Sequence, residues 1–147
     1  MKSILAWVGG LRRGEVEPEA YRQELTRLRT HWQQQEQKLD QLEVAAPDRE
    51  IWQNLVRPGL RAAYRCLIAA ASEGLLYGDK RDPKYLPAVY HLLDSFVRIH
   101  SVLQAHLKDL TGWAQEHIAR ELAAQIQPYQ PPDVTNSKTF QAPEDRP

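Results

Sequence analysis

Arg57, Arg61 and Arg65 recur at every fourth position, so on a helix three guanidinium groups stand along one side, about 6 Å apart along the axis. A guanidinium is a rigid fork of donors that matches the oxygens of phosphate or carboxylate. The row can therefore meet successive phosphates of a nucleic acid, or pair with carboxylates on a neighbouring helix. Arg49 precedes it and Lys80, Arg81 and Lys84 follow, giving residues 48–84 seven cations against five anions. Carboxylates for the second option stand earlier in the chain, at Glu24, Glu36, Asp40 and Glu43. Over all 147 residues, 19 Lys and Arg balance 19 Asp and Glu, so no global field draws in a polyanion. No aromatic interleaves the arginines as a base-stacking platform. Ion pairing, internal or with a protein partner, is expected ahead of nucleic acid.

The other reactive side chains are scattered. His31, His91, His100, His106 and His117 include no i,i+4 pair, no HExxH and no pair of Glu-x-x-His units, so neither zinc nor carboxylate-bridged dimetal chemistry has its ligands. His106 and His117 share a helical face but lie about 16 Å apart on a continuous helix, and only a sharp bend at Gly112 would bring them together. Cys66 falls on an arc of small residues, where a thiol packs as a small hydrophobe and lacks the exposure and cation that a nucleophile needs. Gly9-Gly10 is not followed by a phosphate-loop Lys, and no nucleophile elbow or zinc-deaminase signature occurs. The sequence thus names no catalytic residue, metal ligand or cofactor. An enzyme or ligand carrier would need an inter-helix pocket, for which Tyr64, Ser72 and His100 are the polar candidates.

The element that positions the arginine row is the stretch Pro58–Leu76. Val56, Leu60, Ala63, Tyr64, Leu67, Ile68, Ala71 and Leu75 make one apolar arc, and Gly59, Ala62, Cys66, Ala69 and Ala70 make a second arc of small residues beside it. A helix apolar around most of its circumference is covered on more than one side, which makes this the middle helix of a bundle. Its predicted end is Tyr77, with Gly78 as the C-terminal cap, and Pro58 should break or kink it at the start.

Pro18 opens a preceding helix whose seam reads Tyr21, Leu25, Leu28, Trp32, Gln35, Leu39, Leu42, an unbroken 4-3 alternation extending to about Val44. Gln35, the polar member, is a candidate for setting register or partner choice. Ala46-Pro47-Asp48 is a turn, with Asp48 the N-cap of Arg49–Val56. Asp82-Pro83 and Pro87 start a third helix carrying Val89, Leu92, Leu93, Phe96, Val97, Leu103 and Leu107. An interruption at Thr111-Gly112 is expected, because an unbroken helix to Ile126 would span about 60 Å. Short turns make these helices antiparallel, placing Leu25 near Leu67, Trp32 near Leu60, Phe96 near Ile68 and Leu103 near Leu60.

The fold expected is all-α: an elongated antiparallel bundle of three principal helices over residues 18–127, with an apolar N-terminal arm over 1–17 and a proline-rich C-terminal arm over 128–147. Ile4–Val8 is too short to span a bilayer and lacks the order of a secretory signal, and the single cysteine fits a reducing compartment. These features predict a soluble cytoplasmic protein. The functional expectation is a non-catalytic interaction module, a scaffold, adaptor or small complex subunit that binds a protein partner or a second copy through its arms and heptad seam. Leu5, Trp7, Gln35 and Phe140 are the partner-binding candidates. The alternative is a helical subunit of a ribonucleoprotein, with Arg57, Arg61, Arg65, Lys80, Arg81 and Lys84 on phosphates.

Overall fold

The computed structural model describes residues 2–110 and 112–126, and the described chain is helical with no strand. Its α-helices are α1 (Lys2–Arg12), α2 (Pro18–Lys38), α3 (Arg49–Ile51), α4 (Arg57–Lys80), α5 (Leu86–His106) and α6 (Gly112–Ile126). The expected all-α bundle is therefore what the chain forms. Residues 128–147, the predicted C-terminal arm, and Phe140 within it, lie outside the described residues.

Helix α2 starts where Pro18 can occupy the first turn without losing a hydrogen bond, behind an extended Glu17. It ends earlier than its seam predicts. A 3-10 turn over Leu39–Gln41 follows, and Leu42 is already extended at φ −80°, ψ 121°. Leu42 and Val44 both turn toward Ile51, Trp52, Leu110 and Ile118. Two residues apart on one face is strand-like periodicity, which a continuing helix would not give.

The expected interruption at Pro58 is present, and it takes the form of a π-turn rather than a gap in the helical path. α3, a π-helical turn over Trp52–Val56, and α4 follow one another without a gap, and the Arg57 N–H donates to the Trp52 carbonyl, an i→i−5 bond. The wider turn accommodates a proline that lacks an N–H and whose ring crowds the carbonyl four residues back. The predicted cap at Gly78 is also replaced. α4 continues to Lys80 and stops at Arg81, whose left-handed backbone (φ 55°) lets its N–H reach the Tyr77 carbonyl at 2.7 Å. Gly78 serves packing instead: a Cβ there would stand 2.7 Å from the Tyr21 ring.

α4 lies between α2 and α5, with the apolar arcs turned to both. Against α5, Leu103 rests on Gly59, close to its predicted neighbour Leu60. Against α2, the register is displaced from the one expected. The Tyr21 hydroxyl donates to the Gly74 carbonyl at 2.6 Å, Leu25 lies on Gly74 rather than near Leu67, and Arg29 donates to Ser72. The cause is the connection between the helices, which is not a tight turn about residue 46 but an extended stretch, a 3-10 turn and the π-turn.

Two shorter helices complete the core. α1, the predicted N-terminal arm, docks on its own bundle with Ile4, Val8 and Leu11 buried, and Arg81 fastens its end by donating to the Leu11 carbonyl. Gly14, at φ 73°, makes the turn from α1 toward α2. The predicted interruption at Gly112 is a reversal. Trp32 of α2 donates to the Gln125 carbonyl, Tyr64 of α4 to Glu121, and His100 of α5 faces the Leu122 carbonyl, so α6 lies back against all three helices.

Candidate functional site

The arginine row divides when folded. Arg61 pairs with Asp40 at 2.5 Å and Arg65 with Glu36 at 2.7 Å, both carboxylates being on the α2 side named from the sequence. Such exposed pairs contribute about 0–1 kcal/mol each, so they neutralise this edge of α4 more than they hold it. Lys84 sits beside Asp82 and over the Tyr85 ring, and Arg81 is bound to α1. Lys80 is exposed at the end of α4.

Arg57 stands apart from its two companions. With Arg49 and Gln53 it lines an open cleft of about 260 Å³ whose other walls are Leu42, Glu43, Val44 and Trp52. Arg49, Gln53 and Arg57 follow one another at intervals of four across the π-turn, which brings all three to one side of the helical path. Among the described residues no carboxylate pairs with Arg49 or Arg57, whereas Arg13, Arg22, Arg27, Arg61, Arg65, Arg98 and Arg120 each have one. The facing segment, Leu42 to Ala45, is extended at both ends. The Glu43 and Val44 amides take no backbone partner among the described residues. Beneath, a small enclosed cavity of about 10 Å³ is lined by Asp48, Trp52, Leu110, His117 and Ile118 among others. Asp48 occupies the predicted cap position, but its side chain is buried there and makes no cap hydrogen bond.

The sequence pointed to Arg57 as a phosphate contact, and Arg49 was visible only as a nearby cation. Gln53 and the extended wall were not singled out, and Glu43 was named only as a carboxylate for the arginine row. The spacing Arg49–Arg57 was the available signal, hidden because Pro58 disfavours helical geometry at the residue before it, Arg57.

The polar groups suggested for an inter-helix pocket are brought to α6 instead. Tyr64 donates to Glu121 at 3.1 Å, and burial, then the Glu121 charge, raises its pKa so that the hydroxyl stays protonated. His100 lies 3.4 Å from the Leu122 carbonyl, while Ser72 lies elsewhere on α4, at Arg29. Gln125 is wholly buried with its side-chain amide near the Tyr64 hydroxyl, and among the described residues neither that amide nor His31 Nε2 has a hydrogen-bond partner of good geometry. Although the chain does bend at Gly112, among the described residues no three His, Cys, Asp or Glu gather where they could hold a metal. Cys66 is half-buried, and burial raises its thiol pKa.

His31 and His100 make the α6 contact pH-dependent. Burial is the main reason that both titrate below the ordinary value of 6.5, with Arg27 and Lys38 adding to the effect at His31; the Ala124 and Leu122 carbonyls act weakly the other way. Well above 6.5, from about pH 7.5 upward, both states hold neutral imidazoles and nothing is lost. As pH falls below it, the unfolded chain takes up protons that the folded chain refuses, so stability falls until pH passes the folded values. We expect the urea midpoint to drop between about pH 7.5 and about pH 5, and to drop less in a His31→Asn/His100→Asn variant.

The partner candidates are dispersed. Trp7 is half-buried against the core, Leu5 is 37% exposed, and Gln35 is half-buried on α2. Of the rest of the seam, Tyr21, Leu25, Leu28, Trp32 and Leu39 are at most 1% exposed and face the chain's own core, and Leu42 is half-buried against it. Larger outward apolar groups occur on α5, at Tyr90, Val97 and Val102. Among the described residues no helix is long and apolar enough to cross a membrane. Comparison of the chain with models of protein families, with curated proteins and with solved structures finds no match.

Proposed function

We propose that the chain is a non-catalytic helical interaction module, a small subunit, scaffold or adaptor that binds a protein partner in the cytoplasm. The observation that carries this reading is the two-sided character of α5. Leu86, Val89, Leu93, Phe96, His100 and Leu103 form its buried stripe, yet Tyr90 and Val97, beside that stripe, remain 43% and 39% exposed. Tyr90 and Val97 are seven residues apart, hence one above the other. The Asp94–Arg98 pair borders them, giving the apolar centre and charged rim of a contact surface. Because the heptad seam is covered internally, association falls to this face and to Leu5 and Trp7 on α1. Internal pairing of Arg61 and Arg65 favours a protein partner over a nucleic-acid backbone.

The test is a tagged full-length chain used as bait in extract of its source cells, beside a Tyr90→Asp/Val97→Asp variant. The wild type should retain a protein partner that the variant loses, with variant stability within about 0.5 kcal/mol, as for ordinary surface changes. A wild-type chain that retains no partner defeats the reading.

A further inference from the structure

The cleft between the π-turn and the extended Leu42–Ala45 segment has the chemistry of an acidic-peptide site. Its two arginines differ from most others on the molecule in having no carboxylate among the described residues. An unpaired guanidinium in a concave, partly apolar setting is left with donors that a ligand carboxylate can satisfy as a forked pair. Arg49 and Arg57 are eight residues apart, roughly 10 Å along a path that is part α-helix and part π-turn, which is more than one carboxylate bridges and suits two acidic side chains on one extended segment. Between them lie the Gln53 amide, which both donates and accepts, and the edge of Trp52.

We infer that this cleft binds an acidic segment of the protein partner in extended conformation, its carboxylates on Arg49 and Arg57 and its backbone alongside Glu43 and Val44. The inference rests on the interaction-module reading and names what one of its surfaces recognises. Three features favour a peptide over a phosphate backbone. The Glu43 and Val44 amides, which take no backbone partner among the described residues, offer main-chain hydrogen bonds to an extended chain. Leu42, Val44 and Trp52 give apolar side chains a place between the charges. The cationic track ends at Arg57, since Arg61 and Arg65 already have carboxylates, and the Glu43 carboxylate on the rim repels a continuous polyanion. The π-turn is integral to the site, because an irregular turn of this kind re-aims the flanking side chains.

The experiment is fluorescence anisotropy of a labelled peptide of alternating Glu and Leu, titrated with the full-length chain at low and moderate salt. A Lys-Leu peptide, a labelled single-stranded oligonucleotide and pyrophosphate are run in parallel, and circular dichroism checks each variant. Saturable binding of the acidic peptide is expected, weakened at least about tenfold in Arg49→Ala/Arg57→Ala, the loss typical of a charge-assisted contact. Glu43→Gln should tighten it, and Arg61→Ala/Arg65→Ala should leave it within about twofold. Absence of saturable binding, equal binding by the Arg49/Arg57 variant, or arginine-dependent binding of the oligonucleotide or pyrophosphate in preference to the peptide each overturns the proposal. If the Arg49/Arg57 variant still retains every partner of the wild-type bait, the cleft proposal falls while the interaction module stands. If the wild-type bait retains none, the module itself falls.

Discussion

Trp32→Ala lowers the unfolding free energy by about 3–5 kcal/mol, the range for removing a large aromatic from a packed interior. Trp32 is fully buried, and its indole nitrogen donates to the Gln125 carbonyl at 3.3 Å. Truncation thus opens a void between α2 and α6 and removes the donor to that carbonyl. For a domain with total stability of about 5–15 kcal/mol, this is a large share. Urea denaturation followed at 222 nm measures the change, and limited proteolysis after Arg120 reports whether α6 leaves first. Trp32→Phe separates the two contributions: it keeps most of the volume and loses only the hydrogen bond, so its cost should be about 1–2 kcal/mol. A Trp32→Ala chain that unfolds at the wild-type urea concentration would show that α6 does not depend on this contact.

What the sequence conveys about this molecule is mostly periodicity, and what it withholds is mostly the purpose of individual small or polar residues. The apolar arcs around Leu60, Tyr64 and Leu67 identified the central helix, because burial on several sides leaves a pattern independent of partner identity. The α4–α5 register followed from a short connection. The α2–α4 register did not, because the length of chain between the helices depends on Leu42 and Val44 adopting extended geometry, and a two-residue apolar alternation within a helical seam is ambiguous. Gly78 misleads, and Pro58 leaves the form of its interruption open, for a related reason. Glycine marks either a cap or a close approach, and here the Tyr21 ring occupies the space that a side chain would fill. Proline marks either a break or a place where neighbouring turns adjust. Neither choice is encoded locally.

The same ambiguity governs the candidate site. Arg57, Arg61 and Arg65 are equivalent in sequence, and only the position of Glu36 on α2 and of Asp40 in the 3-10 turn after it makes two of them paired and leaves the third in the cleft. Folding assigned different partners to identical side chains.

Gly74→Val lowers stability by about 2–3 kcal/mol, mainly by overpacking, and does so at a residue whose helix propensity would by itself favour the change. A Cβ at position 74 would stand 2.7 Å from Leu25 Cδ2 and 3.2 Å from the Tyr21 hydroxyl oxygen. Leu25 is completely buried and Tyr21 nearly so, which leaves neither room to retreat within the core. Separation of α2 from α4 is the remaining response, and it stretches the buried Tyr21–Gly74 hydrogen bond, with a loss of about 1 kcal/mol. Gly112 is the control: no neighbour lies within 4 Å of a Cβ there, so Gly112→Ala should change stability by no more than about 0.5 kcal/mol. The decisive measurement is the double variant with Leu25→Ala. Leu25→Ala alone costs about 2–5 kcal/mol by leaving a void. Valine at position 74 then fills part of that void, so the combined loss should be smaller than the sum of the separate losses by more than about 1 kcal/mol. Strict additivity would mean that residues 25 and 74 do not touch, and that α2 and α4 meet in another register.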